Sequence, residues 1–161
     1  MEIDSNPLQV VVAIVRDSIT GNLLFQERQK VPYKGHFGLV GGKVDEGEER
    51  DEAIVREIKE ETNLDVQHLT YLQVVHETLM TNAKNHQVAL HVYLADVNGQ
   101  VQANVAEGQI YWLEEKHFNT NKALYISTDW LIVNAVINNE KLFSRISVED
   151  NGNKYAIKAI S

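Results

Sequence analysis

The sequence contains no cysteine, and this absence excludes all chemistry that depends on a thiol. Without thiols the chain can form neither disulfide bonds nor thiolate metal sites. It also lacks any run of about 18 apolar residues, the length that a membrane-spanning helix needs. The segment Met1–Pro7 is polar and acidic, without the basic, apolar and small-residue regions of a secretory signal. We therefore expect a cytoplasmic protein that does not bind membranes.

The sequence also contains fewer basic residues than acidic ones. The 161 residues include 23 acids against 15 lysines and arginines, which gives a formal net charge of −8. Binding a long nucleic-acid backbone depends on clustered positive charge, so the composition argues against such a partner. A short phosphorylated molecule is still a suitable ligand if cations bridge its phosphates to the protein. The length fits one domain over residues 1–161.

Most of the excess negative charge lies in one short segment, residues 45–61. This segment holds nine acids and three bases, hence a net charge of −6. An acidic run of this kind is usually the solvated face of a helix. The spacing of its glutamates argues for a more specific role.

The pattern of apolar residues predicts an α/β fold in which a mixed sheet lies between helices. One helix is expected over Glu49–Thr62, where apolar residues repeat at helical spacing. Thr128 or Asp129 is expected to cap a second helix, Trp130–Asn138. Strands are expected at Leu8–Val15, Leu23–Glu27, Leu69–Val75, Val88–Val97, Ile110–Leu113, Ser144–Val148 and Lys154–Ile160.

One motif connects the acidic segment to chemistry. The sequence Gly42-Lys-Val-Asp-Glu-Gly-Glu48 is followed seven residues later by Arg56-Glu-Ile-Lys-Glu-Glu-Thr-Asn-Leu64. This pattern resembles the Nudix box, which is Gly, five residues, Glu, seven residues, then Arg-Glu-apolar-any-Glu-Glu-any-Gly-apolar. The match is complete except at the last glycine, where this chain has Asn63. Such spacing arises by chance in about one chain in a million at average residue frequencies.

The glutamates of this segment have a physical meaning of their own. Glu60 and Glu61 lie three and four residues after Glu57, so on a helix the three side chains project toward a common edge. Carboxylates this close repel one another unless a cation lies among them. Oxygen ligands favour Mg²⁺ or Mn²⁺, which would neutralise phosphate charge and lower the pKa of a bound water. Arg56 can hold a carboxylate in a fixed orientation, and Glu48 is within its reach.

The resemblance to the Nudix family implies an α/β/α sandwich and a hydrolase that needs a divalent cation. It also implies a general base in or beyond the box. We favour Glu57 as that base, with Glu107 as the alternative, because many family members use a glutamate in a similar place. Gly42 and Glu48 would support the geometry of the box. The residues that the resemblance assigns to the metal are Gly41, Glu57, Glu60 and Glu61.

The departure at Asn63 is structurally mild. A glycine there would end the helix with a positive φ, and Asn is the residue that best tolerates that conformation after Gly. A second departure lies upstream, where family members often have Trp and Pro and this chain has Phe37 and Val40. These positions shape a loop and supply no ligand, so they bear on the substrate more than on the reaction.

The expected reaction is attack of water on phosphorus in the diphosphate bridge of a small nucleotide-like substrate. A nucleoside triphosphate would yield a monophosphate and pyrophosphate, and oxidised guanine nucleotides are included. ADP-ribose or another sugar nucleotide stays open as the substrate, and so does a non-catalytic nucleotide sensor with the same fold. The oligomeric state is also open, with a homodimer among the alternatives.

Overall fold

Nine strands and two α-helices make up the regular structure of the described residues, which are 6–102, 108–152 and 154–161 of a computed structural model. The helices are α1 (Arg50–Thr62) and α2 (Ser127–Ile137), with 3₁₀ segments at Glu115–Thr120 and Lys122–Leu124. No helix within these residues is both long and apolar enough to cross a membrane. The strands are β1 (Leu8–Asp17), β2 (Leu23–Glu27), β3 (Phe37–Gly38), β4 (Val40–Lys43), β5 (Asp65–Met80), β6 (Asn85–Asn98), β7 (Ile110–Leu113), β8 (Arg145–Asp150) and β9 (Tyr155–Ile160).

All of these strands belong to one mixed sheet. Its main path runs β3-β2-β1-β6-β5-β8-β9, while β4 pairs with β1 and β7 pairs with β2. Strand β1 runs parallel to β6 from Leu8 opposite Val88 to Asp17 opposite Val97, and β5 runs parallel to β8. The other pairs are antiparallel. In this order β1 and β6 lie in the middle of the sheet. They form a parallel pair, and parallel strands are usually covered by protein on both faces.

The alternation of side chains along β1 divides the interior into two cores. Val11, Ala13 and Val15 pack with Ile54 and Ile58 of α1, and all five are fully buried. The residues between them on the strand point to the opposite face, where they join a second core that includes α2. The predicted α/β sandwich with a mixed sheet is therefore confirmed.

The end of α1 agrees with the sequence prediction. The helix is followed by Asn63 with φ 64° and ψ 9°, the left-handed conformation, and the Asn63 N–H donates to the Lys59 carbonyl at 2.9 Å. This bond satisfies a helix carbonyl that would otherwise lack a partner. Asn63 thus takes the cap position that glycine has in the family pattern.

The start of α2 differs from the prediction. The helix already begins at Ser127, so Thr128 and Asp129 lie in its first turn and neither caps it. The Thr128 hydroxyl donates to the Glu77 carboxylate, and Asp129 Oδ2 accepts the Leu39 N–H at 2.9 Å. Thr128 bonds to β5 and Asp129 to the residue that joins β3 and β4, which leaves neither side chain available for a helix cap. The predicted cap is wrong because residue type alone does not show which way a side chain points.

We expect Asn63→Gly to change the free energy of unfolding by less than about 0.5 kcal/mol, because both residues tolerate a positive φ. Asn63→Val should destabilise the protein by about 1–3 kcal/mol, since a β-branched residue is strained there. Urea denaturation of the two variants measures the difference. Equal stability of the two variants would contradict the cap assignment.

Candidate active site

The acidic edge of α1 faces strand β4 across a cleft of about 350 Å³. We call this the box cleft, because every residue that lines it belongs to the box or directly precedes it. Its walls come from two segments, the end of β4 with the turn after it and the second half of α1. The residues lining it are Gly41, Gly42, Lys43, Asp45, Glu57, Glu60 and Glu61.

Arg56 is hydrogen-bonded to three glutamates. Its Nε donates to Glu48 Oε2 at 2.8 Å and its Nη2 to Glu48 Oε1 at 3.0 Å, so this pair is bidentate. Its Nη1 donates to Glu57 Oε1 at 2.9 Å and to Glu60 Oε2 at 3.2 Å. The hydrogen bonds from Arg56 lower the pKa of the Glu48 carboxyl. Because two different carboxylates fix the guanidinium plane, Arg56 can in turn fix the orientation of Glu57.

Glu57 lies between Arg56 and a second acid. A hydrogen bond links its carboxyl to that of Glu61, which is one helical turn away and only 7% exposed. Burial raises the pKa of Glu57, and the hydrogen bonds from Arg56 and Glu61 oppose that rise. Two carboxyls in contact are stable together only when a proton or a cation is shared between them. The Glu57–Glu61 pair is therefore suited to bind a cation.

Two glycines allow the strand to approach the helix. A Cβ atom on Gly42 would lie 2.3 Å from Glu57 Oε1, so only glycine lets that carboxylate rest against the strand. A Cβ atom on Gly41 would lie 2.1 Å from the Val11 carbonyl oxygen, on the neighbouring strand β1. Gly42 therefore makes room for a functional side chain, whereas Gly41 makes room for the backbone of the sheet.

The donor set of the box cleft fits a hard divalent cation. Mg²⁺ is usually bound by one or two carboxylates, and waters and substrate phosphates complete its shell. Glu57 and Glu61 supply two adjacent carboxyls, and Gly41 lines the same cleft. Glu60 turns toward Arg56, and within the described ranges no group of three histidine, aspartate or glutamate side chains has the arrangement of a metal site. The fit therefore rests on the Glu57–Glu61 pair.

The first turn of α1 is attached to the sheet by polar contacts. Arg50 Nη1 lies 2.9 Å from His91 Nδ1, and since arginine can only donate, this nitrogen of His91 is the acceptor. The other ring nitrogen then carries the proton and donates to Gln9 Oε1 at 2.7 Å. The Tyr93 hydroxyl donates to Asp51 Oδ1 at 2.6 Å. These contacts hold the helix in place one to three turns before the functional glutamates.

A larger cavity of about 1560 Å³ adjoins the box cleft, and Gly41 and Gly42 line both. Its wall includes two acids, Glu77 and Asp129, for which the sequence predicted no chemical role. Burial raises the pKa of Asp129 to about 7, and burial also raises the pKa of Glu77. These carboxyls therefore keep their protons closer to neutral pH than ordinary acids do.

Only a weak sequence signal marks this pair of acids. Asp129 was visible as a polar residue beside the apolar stripe of α2, a pattern typical of a cap. Glu77 lies on β5, 52 positions away, and only the sheet brings it beside Thr128 of the same helix. Glu107, the alternative base, lies outside the described residues.

We expect Gly42→Ala to lower turnover by roughly 10–100-fold with little loss of stability, because the new methyl displaces the Glu57 carboxylate. Gly41→Ala is the matched comparison. Its methyl meets backbone, so it should destabilise the fold by about 2 kcal/mol or more. Thermal melts and steady-state kinetics on both variants separate the two effects. A fully active Gly42→Ala enzyme would contradict the placement of Glu57.

We expect Asp129→Asn to remove a pH dependence of stability. The folded pKa of Asp129, about 7, lies above its ordinary value of 3.8, so the folded state binds the proton more tightly. As the pH rises from 4 to 7, the free energy of unfolding of the wild type should therefore fall, by up to about 1.4 kcal/mol per pH unit from this group. Asparagine cannot titrate. The stability of the variant relative to wild type should rise across that window, and a constant difference in urea denaturation would refute the assignment.

The box and the sheet around it are similar to those of known proteins. A family model described as the NUDIX domain matches residues 7–131. The chain is 36% identical over 81 residues to an ADP-ribose pyrophosphatase from Methanocaldococcus jannaschii, covering 50% of this chain and 47% of that protein. It is 28% identical over 99 residues to an asymmetrical bis(5'-nucleosyl)-tetraphosphatase from Caenorhabditis elegans, covering 62% of this chain and 72% of that protein.

A solved structure extends the similarity to the rest of the fold. The MutT protein from Bacillus halodurans superposes with a TM-score of 0.71 at 20% sequence identity, over 94% of this chain and 97% of that chain. An identity this low shows the shared fold alone. The NUDIX model, in contrast, matches more than half of the chain and includes the whole box. This chain therefore belongs to the Nudix family.

Proposed function

We propose that this protein hydrolyses a phosphoanhydride bond in a small nucleotide, with Mg²⁺ or Mn²⁺ held in the box cleft. The observation that carries the proposal is the Arg56 guanidinium, which fixes Glu57 beside Glu61 in the box cleft, and the large cavity shares Gly41 and Gly42 with that cleft. The residues that the family resemblance assigns to the cation, Gly41, Glu57, Glu60 and Glu61, all line this cleft, and Glu57 and Glu61 supply its two adjacent carboxyls.

In this mechanism the chain supplies orientation and a proton acceptor. A bound divalent cation would neutralise phosphate oxygens and lower the pKa of water. Glu57 accepts the proton of the attacking water, while Arg56 keeps the Glu57 carboxylate in one orientation. Glu48 holds Arg56 from the opposite side. Water adds to phosphorus as the bridging P–O bond breaks, so a nucleoside triphosphate gives a monophosphate and pyrophosphate.

The large cavity would receive the nucleoside. Its volume exceeds the roughly 300–1,000 Å³ of typical ligand pockets, so a base and its sugar can both enter. Asp129 can donate or accept a hydrogen bond near neutral pH, because its pKa is about 7. Glu77 adds a second carboxyl with a raised pKa in the same wall. Groups of this kind suit the keto and ring-nitrogen edge of a purine, including an oxidised guanine.

ADP-ribose is the second candidate substrate. The archaeal relative that is 36% identical over 81 residues bears the name ADP-ribose pyrophosphatase. ADP-ribose has the same diphosphate bridge and a purine, so the box cleft and the large cavity suit it as well. Cleavage would then release AMP and ribose 5-phosphate.

A nucleotide panel distinguishes these candidates. The pure protein is incubated with Mg²⁺ and with nucleoside triphosphates, an 8-oxidised guanine triphosphate, dinucleoside polyphosphates and ADP-ribose, and the products are identified. Monophosphate plus pyrophosphate from a triphosphate supports the main proposal, whereas cleavage of ADP-ribose alone supports the second. Tight binding without turnover would indicate a sensor. A chelator should abolish turnover and added Mg²⁺ or Mn²⁺ restore it, so full activity in metal-free buffer contradicts the proposal.

We expect Glu57→Gln to lower turnover by roughly 10² to 10⁴, which corresponds to about 3–5 kcal/mol of barrier. Glutamine keeps the size of the side chain but removes its charge and its basicity. The fold should survive, because Glu57 faces the box cleft and not the core. Steady-state kinetics at saturating Mg²⁺ measures the loss.

Glu107→Gln is the matched variant, since Glu107 is the alternative base. Loss of the base should remove the acidic limb of the pH–rate profile, whereas loss of a ligand alone should be partly rescued by more metal. Wild-type turnover in Glu57→Gln together with an inactive Glu107→Gln would move the role of base to Glu107.

A further inference from the structure

A loop between β2 and β3, residues 28–36, forms part of the wall of the large cavity. Its two ends are joined by its own backbone: the Arg28 N–H donates to the His36 carbonyl at 2.8 Å and the Gly35 N–H to the Arg28 carbonyl at 2.7 Å. Arg28, Pro32 and Tyr33 line the cavity. We call this segment the cavity loop. Its position therefore helps to set the shape of the cavity.

The tip of the cavity loop is held by the last strand of the protein. Tyr33 has a left-handed backbone with φ 65°, although it is not glycine, and its side chain is 6% exposed. Its N–H donates to the Tyr155 hydroxyl at 2.7 Å, and the two rings stack with centroids 3.7 Å apart. His36 packs edge-on against both rings, at 5.3 and 5.6 Å. A backbone conformation of this kind persists only when the surroundings enforce it, and Tyr155 of β9 supplies that constraint.

The same tyrosine connects the loop to the acidic wall of the cavity. The Tyr33 hydroxyl donates to Ser127 Oγ at 3.2 Å, at the start of α2 and two residues before Asp129. Asp150, the last residue of β8, lines the cavity too. Tyr155 and Asp150 both lie beyond residue 131, where the match to the NUDIX model ends. The C-terminal hairpin β8–β9 thus contributes to the cavity from outside the matched region.

We propose that Tyr155 is a positioning residue for substrate binding, and that the C-terminal hairpin sets the nucleoside side of the cavity by clamping the cavity loop. The hydroxyl of Tyr155 accepts a buried N–H that needs a partner, and its ring covers the Tyr33 ring. Neither group lines the box cleft, so the clamp acts on binding and not on the chemical step. The identity of the substrate rests on the function proposed above.

Tyr155→Phe tests the clamp, because it removes the hydroxyl acceptor and keeps the ring stack. We expect KM for the nucleotide to rise by about 3–10-fold while kcat stays within twofold of wild type. Tyr155→Leu, which also loses the stack, should raise KM further. Thr70→Val is the control: it removes a side-chain hydroxyl from an exposed residue of β5 that lines neither the large cavity nor the box cleft, so KM should stay unchanged.

Limited trypsin digestion without substrate gives a second readout. Lys30 and Lys34 lie in the cavity loop, and cleavage after them should become about 3–10-fold faster in Tyr155→Phe but not in Thr70→Val. Unchanged KM together with unchanged cleavage in Tyr155→Phe would overturn the proposal. Faster cleavage along the whole chain with an equal loss of kcat would also overturn it, because that result indicates general destabilisation. If wild type hydrolyses no nucleotide, the proposed function fails, whereas faster cleavage confined to the loop still supports the clamp.

Discussion

The Arg56 guanidinium is the charge around which the box is arranged. Helix α1 and the turn before it carry many carboxylates on a short stretch of chain, and these would repel one another without a fixed cation. Arg56 meets this requirement with a bidentate bond to Glu48 and single bonds to Glu57 and Glu60. Its side chain is 26% exposed, so the energy of each pair is modest. The value of the network lies in the orientation that it imposes on Glu57.

That orientation matters because the helix itself is held against the sheet. Ile54 and Ile58 are fully buried against β1, on the face of α1 opposite the acids. Arg50 and Asp51 attach the first turn to His91 and Tyr93 of β6. One face of the helix therefore packs, its start is fixed by polar contacts, and the remaining edge carries the chemistry.

Local patterns in the sequence predicted the parts of the structure that local physics determines. The spacing of the box placed three glutamates on one cleft, the pattern of apolar residues predicted seven of the nine described strands, all except β3 and β4, and Asn63 was identified as a left-handed cap. The long strand β5 was underestimated, since only its pairing with β6 extends it over polar residues to both ends. Contacts such as Tyr33 with Tyr155, 122 positions apart, depend on strand order and could not be predicted from spacing.

The carboxyl groups at the two ends of the proposed site differ in whether an arginine opposes the effect of burial on their pKa. At the box cleft, Arg56 lowers the pKa of Glu48, and its hydrogen bond to Glu57 partly offsets the rise in pKa that burial causes there, so Glu57 loses its proton more readily than burial alone would allow. In the large cavity, burial raises the pKa of Asp129 and Glu77, which favours neutral carboxyls able to donate to a base. In the proposed function, the phosphates of the nucleotide would therefore lie at the box cleft, where a cation can neutralise them, and its base in the large cavity.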